Sequence, residues 1–181
     1  MQMAAGYAIF ANGGFRIAPY FIKRIEDEKG AIIEQFQPVT VLNGAKRVID
    51  PRNAFIMTSM MQDVINHGTA IKAKQLGRSD LAGKTGTTSN FIDAWFCGFQ
   101  KDLVTIAWTG YDEPKSLGNN ETGGRVALPI WMDYMGPVLK GIPMAEYKPP
   151  NGVLATRISS VTGFREPSGD ATEYFYNEQL P

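Results

Sequence analysis

Histidine and cysteine are almost missing from this 181-residue sequence, which holds one of each, His67 and Cys97. A single cysteine excludes an internal disulfide and a cysteine-rich metal site. A single histidine leaves a metal centre without partner ligands, and a histidine-based serine protease would need an acid and a serine gathered around this one residue. His67, near the end of a predicted helix, reads as a capping or surface residue with at most a favourable dipole contact. An excess of charge of either sign is missing too: 18 basic residues balance 18 acidic ones. That balance gives no support to a nucleic-acid-binding or anionic-membrane surface. Apolar runs are far too short to cross a bilayer. The first residues lack the basic-then-apolar pattern of a secretory signal, so none is expected there. The compartment is not readable from these facts.

What is present is an ordinary globular composition, 44% hydrophobic and 20% charged, at a length suited to one domain. The chain is organised around Leu81-Ala82-Gly83-Lys84-Thr85-Gly86-Thr87-Thr88. Glycine weakens a strand and marks places where a ligand or another backbone comes close. Lys84 supplies a positive charge, and period-two alternation puts the hydroxyls of Thr85 and Thr87 on one side of a strand. The segment therefore reads either as a site for an anionic group or as a solvated β-turn. Downstream, Asp93 to Phe99 and Leu103 to Gly110 are rich in aromatic and β-branched residues. Ser89 to Ile92 suits a hairpin loop. Lys84 is thus expected on the first strand of a three-stranded antiparallel meander.

Around that centre, Met3, Tyr7 and Phe10 predict one face of a helix that Asn12-Gly13-Gly14 stops. A helix starting at residue 1 without a capping residue suggests that the chain begins inside a larger fold. Phe15 to Ile25 reads as a strand that Ile32 to Phe36 could pair with, with Pro19 favouring an edge. Asp50-Pro51 marks a helix start, followed by Ala54, Met57, Met61, Val64 and Ile65 at helical spacing and Gly68 as the stop. Its methionines read as gap-filling core. Residues 69–80 form a polar connector whose Lys72, Lys74 and Arg78 make a solvated basic face. A long loop runs from Tyr111 to Arg125. A last helix opens at Leu128-Pro129, with Trp131, Tyr134, Met135 and Val138 on a shared face. From 146 to 181 the chain reads as a proline-rich linker and a small or partly ordered tail.

Gly83-Lys84-Thr85 resembles the end of a phosphate-binding loop, but that pattern needs glycine five residues before Gly83, where Arg78 stands. It also needs a helix to follow, and here a strand follows. A nucleotide triphosphatase is therefore rejected. The better match is the Lys-Thr-Gly strand of serine acyl-transferases. Met1 to Gly14, Pro19 to Ile22, Lys84 to Thr88, Asp93 to Phe99, Trp108 to Asp112, Gly123-Gly124 with Pro129-Ile130-Trp131, and Pro149-Pro150 with Glu173-Tyr174-Phe175 together resemble the transpeptidase domain of bifunctional, class A penicillin-binding proteins. The 1A-like subgroup is the nearest.

The resemblance implies an α+β fold, an antiparallel sheet with helices packed on it, incomplete in this chain. Residues 1–145 would be the C-terminal part of a transpeptidase domain. The implied activity is acyl transfer from D-Ala-D-Ala stem peptides of peptidoglycan through a serine acyl-enzyme, which β-lactams mimic and stall. Lys84 would hold the substrate carboxylate and support proton movement. Thr85 and Thr87 would bind the carboxylate or amide, Gly86 would permit close approach, and the Thr87 N–H would join the oxyanion hole. Thr88 would extend the substrate-binding wall. The implied partners are peptidoglycan stem peptides, β-lactams and an upstream part of the same domain. No cofactor, metal or nucleic acid is implied, and the membrane is reached only through an N-terminal anchor, at the periplasmic face of the inner membrane. Trp95, Phe96, Cys97 and Phe99 read as packing.

One departure qualifies this. None of Ser59, Ser79, Ser89, Ser116, Ser159, Ser160 and Ser168 has lysine three residues on, and no Ser-x-Asn occurs. The family places both motifs upstream. The chain is therefore expected to lack the nucleophile and to be inactive alone, and to be marginal, domain-swapped or oligomeric in isolation. The alternative reading is a non-catalytic peptide- or β-lactam-binding module.

Overall fold

Helix α1 (Gln2–Ala11) opens the computed structural model, which describes residues 1–181. Its expected face forms in part: Tyr7 and Phe10 pack toward Met61 and Phe99, while Met3 stays exposed. The run from Phe15 to Ile25 is not one strand. It divides into β1 (Phe15–Arg16) and β2 (Arg24–Glu26), with Pro19, which has no N–H to give a ladder, between them. β2 pairs with β3 (Ile32–Gln35) as expected, with Ile25 opposite Glu34. β1 pairs instead with β4 (Lys46–Arg47), a strand that carries no sequence signal of its own.

Helix α2 (Pro51–Asn66) starts as read, with the Asp50 carboxylate accepting the Arg52 N–H at 2.9 Å and Pro51 at the first turn. Ala54, Thr58, Met61 and Ile65 form its buried stripe. His67 caps its end, exposed, with Nδ1 3.5 Å from the Asp63 carboxylate. The connector after it is more structured than its polarity suggested. Residues Ile71–Leu76 make a 3-10 helix that buries Ala73, and Gly77 closes it at φ 66°.

The expected meander follows: β5 (Ala82–Thr87), β6 (Ala94–Gln100) and β7 (Leu103–Thr109), antiparallel in that spatial order. Lys84 lies opposite Cys97 and Gly86 opposite Trp95, and β5 pairs with β6 alone, which makes it an edge strand. Successive residues of β6 face opposite ways. Ala94 and Phe96 meet Leu128, Trp131 and Met135 of helix α3 (Ala127–Val138) on one side. Phe99 meets Tyr7, Phe10 and Met61 on the other. Helix α2 lies alongside β5 and serves both clusters, Met61 one and Ile65 the other. Phe96 and Trp131 are fully buried and meet edge-to-face, with centroids 4.9 Å apart. The α3 stripe differs from expectation. Leu128, Trp131, Met135 and Leu139 are buried, whereas Tyr134 and Val138 are exposed. A helix lying on the face of a sheet buries only the narrow strip that touches it.

Residues 146–181 hold a hairpin of β8 (Val153–Ile158) and β9 (Ala171–Tyr176). It docks on α2, where Phe55 meets Tyr174 edge-to-face at 4.9 Å and Arg52 reaches Glu178 at 2.7 Å. The architecture is α+β, antiparallel sheets with helices packed on them.

Arg78 corrects the picture of a solvated basic face. Its guanidinium forks onto the Asp80 carboxylate at 2.9 and 2.6 Å, with side chains 11% and 0% exposed. Asp80 also accepts from Gln100 Nε2 at 3.1 Å and the Ala145 N–H at 2.8 Å. Arg78 donates onward to the carbonyls of Leu139, Ile142 and Pro143. A buried charge persists only when paired and hydrogen-bonded, and here four segments provide the partners. Burial opposes the ionisation of Asp80, but Arg78, the Ala145 N–H and Gln100 outweigh it and hold the carboxyl below its ordinary value. Asp80→Ala should therefore lower the unfolding free energy by about 3–5 kcal/mol in urea titration, as removal of one buried partner does. The folded pKa lies below the unfolded one, so the contribution is present above about pH 4 and is lost as pH falls through the folded value. Asp80→Asn should flatten that acid limb of the stability profile.

Candidate functional site

Four glycines shape β5 and its surroundings. A Cβ at Gly83 would lie 2.8 Å from the Cys97 carbonyl oxygen and from the Phe96 ring, and one at Gly86 would lie 3.1 Å from Trp95 Cβ. Gly123 crosses the backbone of β5 at Gly86, so closely that a Cβ there would run into the carbonyl oxygen of Trp95 and come within 2.5 Å of that of Gly86. Gly124 then closes over Thr69, whose carbonyl oxygen leaves a Cβ only 2.7 Å. The obstacles are mostly backbone atoms, which cannot swing aside as a flexible side chain can.

The side chains that the sequence singled out line up along this edge. Lys84 is exposed, and its Nζ donates to the Thr85 carbonyl at 3.0 Å and lies 3.5 Å from Thr85 Oγ1. No carboxylate is in ion-pair contact with it. The Thr85 hydroxyl stands 2.7 Å from that of Thr69. The Thr87 hydroxyl accepts the Gly123 N–H at 3.0 Å. Thr85 and Thr87 thus both direct their hydroxyls at elements beyond β5. Thr88 is engaged differently. Its N–H donates to the Asp93 carbonyl at 3.1 Å, and its hydroxyl accepts the Asp93 N–H at 2.7 Å. This closes the loop 88–93, whose Asn90 and Phe91 take positive φ of 59° and 55°. Asp93 in turn accepts Trp108 Nε1–H at 2.9 Å.

Sequence reasoning did not find Thr69. It follows a helix-stopping glycine in a polar stretch, and only the fold brings it to Thr85. The remaining arrangement is an unneutralised ammonium beside a row of fixed hydroxyls on a strand edge. Such a wall can hold a carboxylate or an amide oxygen through charge-assisted hydrogen bonds. A separate groove of about 740 Å3, lined among others by Phe10, Phe55, Lys101 and Tyr147, contains none of these side chains.

An edge strand carrying Lys-Thr-Gly, backed by an antiparallel meander and helices on both sides, is the pattern of penicillin-binding proteins and class A β-lactamases. The chain is a member of the penicillin binding protein transpeptidase domain family, whose model matches residues 1–136. It is 50% identical over 155 residues to penicillin-binding protein 1A of Neisseria lactamica, covering 86% of this chain and 19% of that protein. Against penicillin-binding protein 1A of Pseudomonas aeruginosa the identity is 38%, over 100% of this chain and 28% of the relative. The chain thus spans a fifth to just over a quarter of these two relatives' lengths. The crystal structure of penicillin-binding protein 1A from Haemophilus influenzae superposes with a TM-score of 0.91 at 32% identity, over 99% of this chain and 32% of that one. Penicillin-binding protein A from M. tuberculosis, solved as an imipenem acyl-enzyme complex, matches with a TM-score of 0.53 at 25% identity, over 75% of this chain and 30% of that one.

Two glycine substitutions should behave oppositely. Gly123→Ala should destabilise by about 1–3 kcal/mol, in the range of forced overpacking, and should speed amide exchange at Gly86 and Thr87. Gly6→Ala sits in α1 with nothing within 4 Å of the added carbon. It should stabilise by about 0.5–1 kcal/mol through helix propensity. Thermal denaturation of both variants checks the pair.

Proposed function

We propose that this chain supplies one wall of the active site of a serine-type D-Ala-D-Ala transpeptidase that cross-links peptidoglycan. The observation that carries this reading is the exposed ammonium of Lys84, set without a carboxylate partner beside the fixed hydroxyls of Thr85 and Thr87 on an edge strand. An upstream part of the same domain, bearing Ser-x-x-Lys, supplies the other wall. The imipenem acyl-enzyme of the M. tuberculosis relative supports a β-lactam as the stalling ligand.

In this reading the stem peptide lies along β5 with its terminal carboxylate at Lys84, Thr85 and Thr87. The serine oxygen bonds to the penultimate D-Ala carbonyl carbon, and its proton passes to the departing amine. The C–N bond breaks, D-Ala leaves, and an amine of a neighbouring stem peptide takes the acyl group and frees the serine. Gly86 keeps the strand low enough for contact. The Thr87 N–H helps hold the oxyanion, and one such donor is worth about 10²–10³ in rate. Thr88 supports the wall through the loop it closes with Asp93. Acyl transfer of this kind uses no cofactor. The site works on the periplasmic face of the inner membrane, reached through an N-terminal anchor outside this sequence.

Intact mass after incubation with a penicillin tests the reading. The full-length protein should gain one acyl adduct and the 181-residue chain none. Lys84→Met in the full-length protein should slow acylation by about 10–100-fold, the worth of a hydrogen bond to a charged group. An adduct on the short chain would place the nucleophile here and overturn the split. Reversible, non-covalent binding by the short chain, with no adduct on either form, would favour a binding module instead.

A further inference from the structure

Thr69 belongs to no motif and stands 16 residues from Thr85 in sequence, yet the two hydroxyl oxygens are 2.7 Å apart. Its backbone is fixed from both sides. The Gly68 N–H donates to the Asp63 carbonyl at 3.0 Å and the Ala70 N–H to that of Val64 at 3.0 Å. Gly124 covers the Thr69 carbonyl so closely that no side chain fits between them. Thr69 is therefore held against the strand and did not merely drift there.

The consequence lies in proton direction. A hydroxyl has one proton and two lone pairs. Lys84 Nζ, which can only donate, lies 3.5 Å from Thr85 Oγ1 and occupies one acceptor direction. Where Thr69 donates to Thr85 as well, both lone pairs are filled and the Thr85 proton is left free for an incoming oxygen. Where Thr85 donates to Thr69, its proton is already used. A bound carboxylate or carbonyl oxygen accepts only from the first arrangement.

We propose that Thr69 is a positioning residue of the transpeptidase site: its hydroxyl donates to Thr85 Oγ1 and so aims the Thr85 proton at a substrate oxygen. This rests on the function proposed above. It assigns Thr69 no contact with substrate, and its whole effect passes through Thr85.

The test uses Thr69→Val, which keeps the shape and removes the hydroxyl. In the full-length protein it should slow acylation by a penicillin about 3–10-fold, and Thr69→Ser should restore the rate to within about two-fold, as one neutral hydrogen bond implies. Added to Thr85→Val it should cost nothing more, since two residues acting through one bond are not additive. A Thr69→Val protein acylated at the wild-type rate would overturn the proposal. Losses that add to those of Thr85→Val would overturn it as well, because Thr69 would then act independently. A wild-type protein that forms no adduct would sink the proposed function instead. In that case crystal structures of the full-length protein and its Thr69→Val variant decide. Thr85 should hold one χ1 rotamer in the first and several in the second, and an unchanged rotamer would overturn the positioning role.

Discussion

The outer edge of β5 depends on how closely β6 approaches α3, and Gly98 sets that distance. A Cβ at Gly98 would stand 2.7 Å from a Phe96 ring carbon and 2.8 Å from the Trp131 ring. With none there, the Trp131 indole lies across the sheet and donates to the Thr105 carbonyl at 3.1 Å. The helix so seated carries the loop before it. The Gly123 carbonyl accepts the Leu128 N–H at 2.8 Å and satisfies one of the N-terminal donors that a helix leaves unpaired. The same glycine gives its own N–H to Thr87. Packing on one face of the sheet thus fixes a contact at its outer edge.

β5 is consequently held from several directions while its charge is left open. The Arg78–Asp80 pair anchors the chain just before it, β6 pairs along it, and Thr69 and Gly123 meet its hydroxyls. Lys84 stands among these supports with only neutral oxygens in reach. A binding group set on a rigid element loses less freedom when a ligand arrives than one on a mobile loop.

The meander was legible because β6 and β7 are short and rich in β-branched or aromatic residues, and loops of hairpin length separate the three strands. The start of α2 was legible because Asp50 and Pro51 act locally. Both signals lie within a few residues of the structure they specify. The misreadings share the opposite property. Arg78 looks like a surface cation until Asp80 meets Ala145, 65 residues away. The phase of α3 depends on which strip touches β6 and β7, and that is a fact about the sheet. Thr69 acquires meaning only from a contact with Thr85. For the wall itself, Lys84 to Thr87 were readable as a motif, whereas the groups that orient their hydroxyls were not.

The wiring of Asp80 also bears on the order of events during synthesis. A chain leaves the ribosome from its N-terminus, and structure forms as segments become available. Gln100 reaches Asp80 early, but Ala145 follows only after the meander and α3 have emerged. Until then the carboxylate lacks its backbone donor, and Arg78 lacks the carbonyls of Leu139, Ile142 and Pro143. The anchor before β5 is therefore completed late, by residues that belong to neither the sheet nor the motif. A nascent chain halted before residue 145 would carry every residue of the candidate wall with its anchor incomplete.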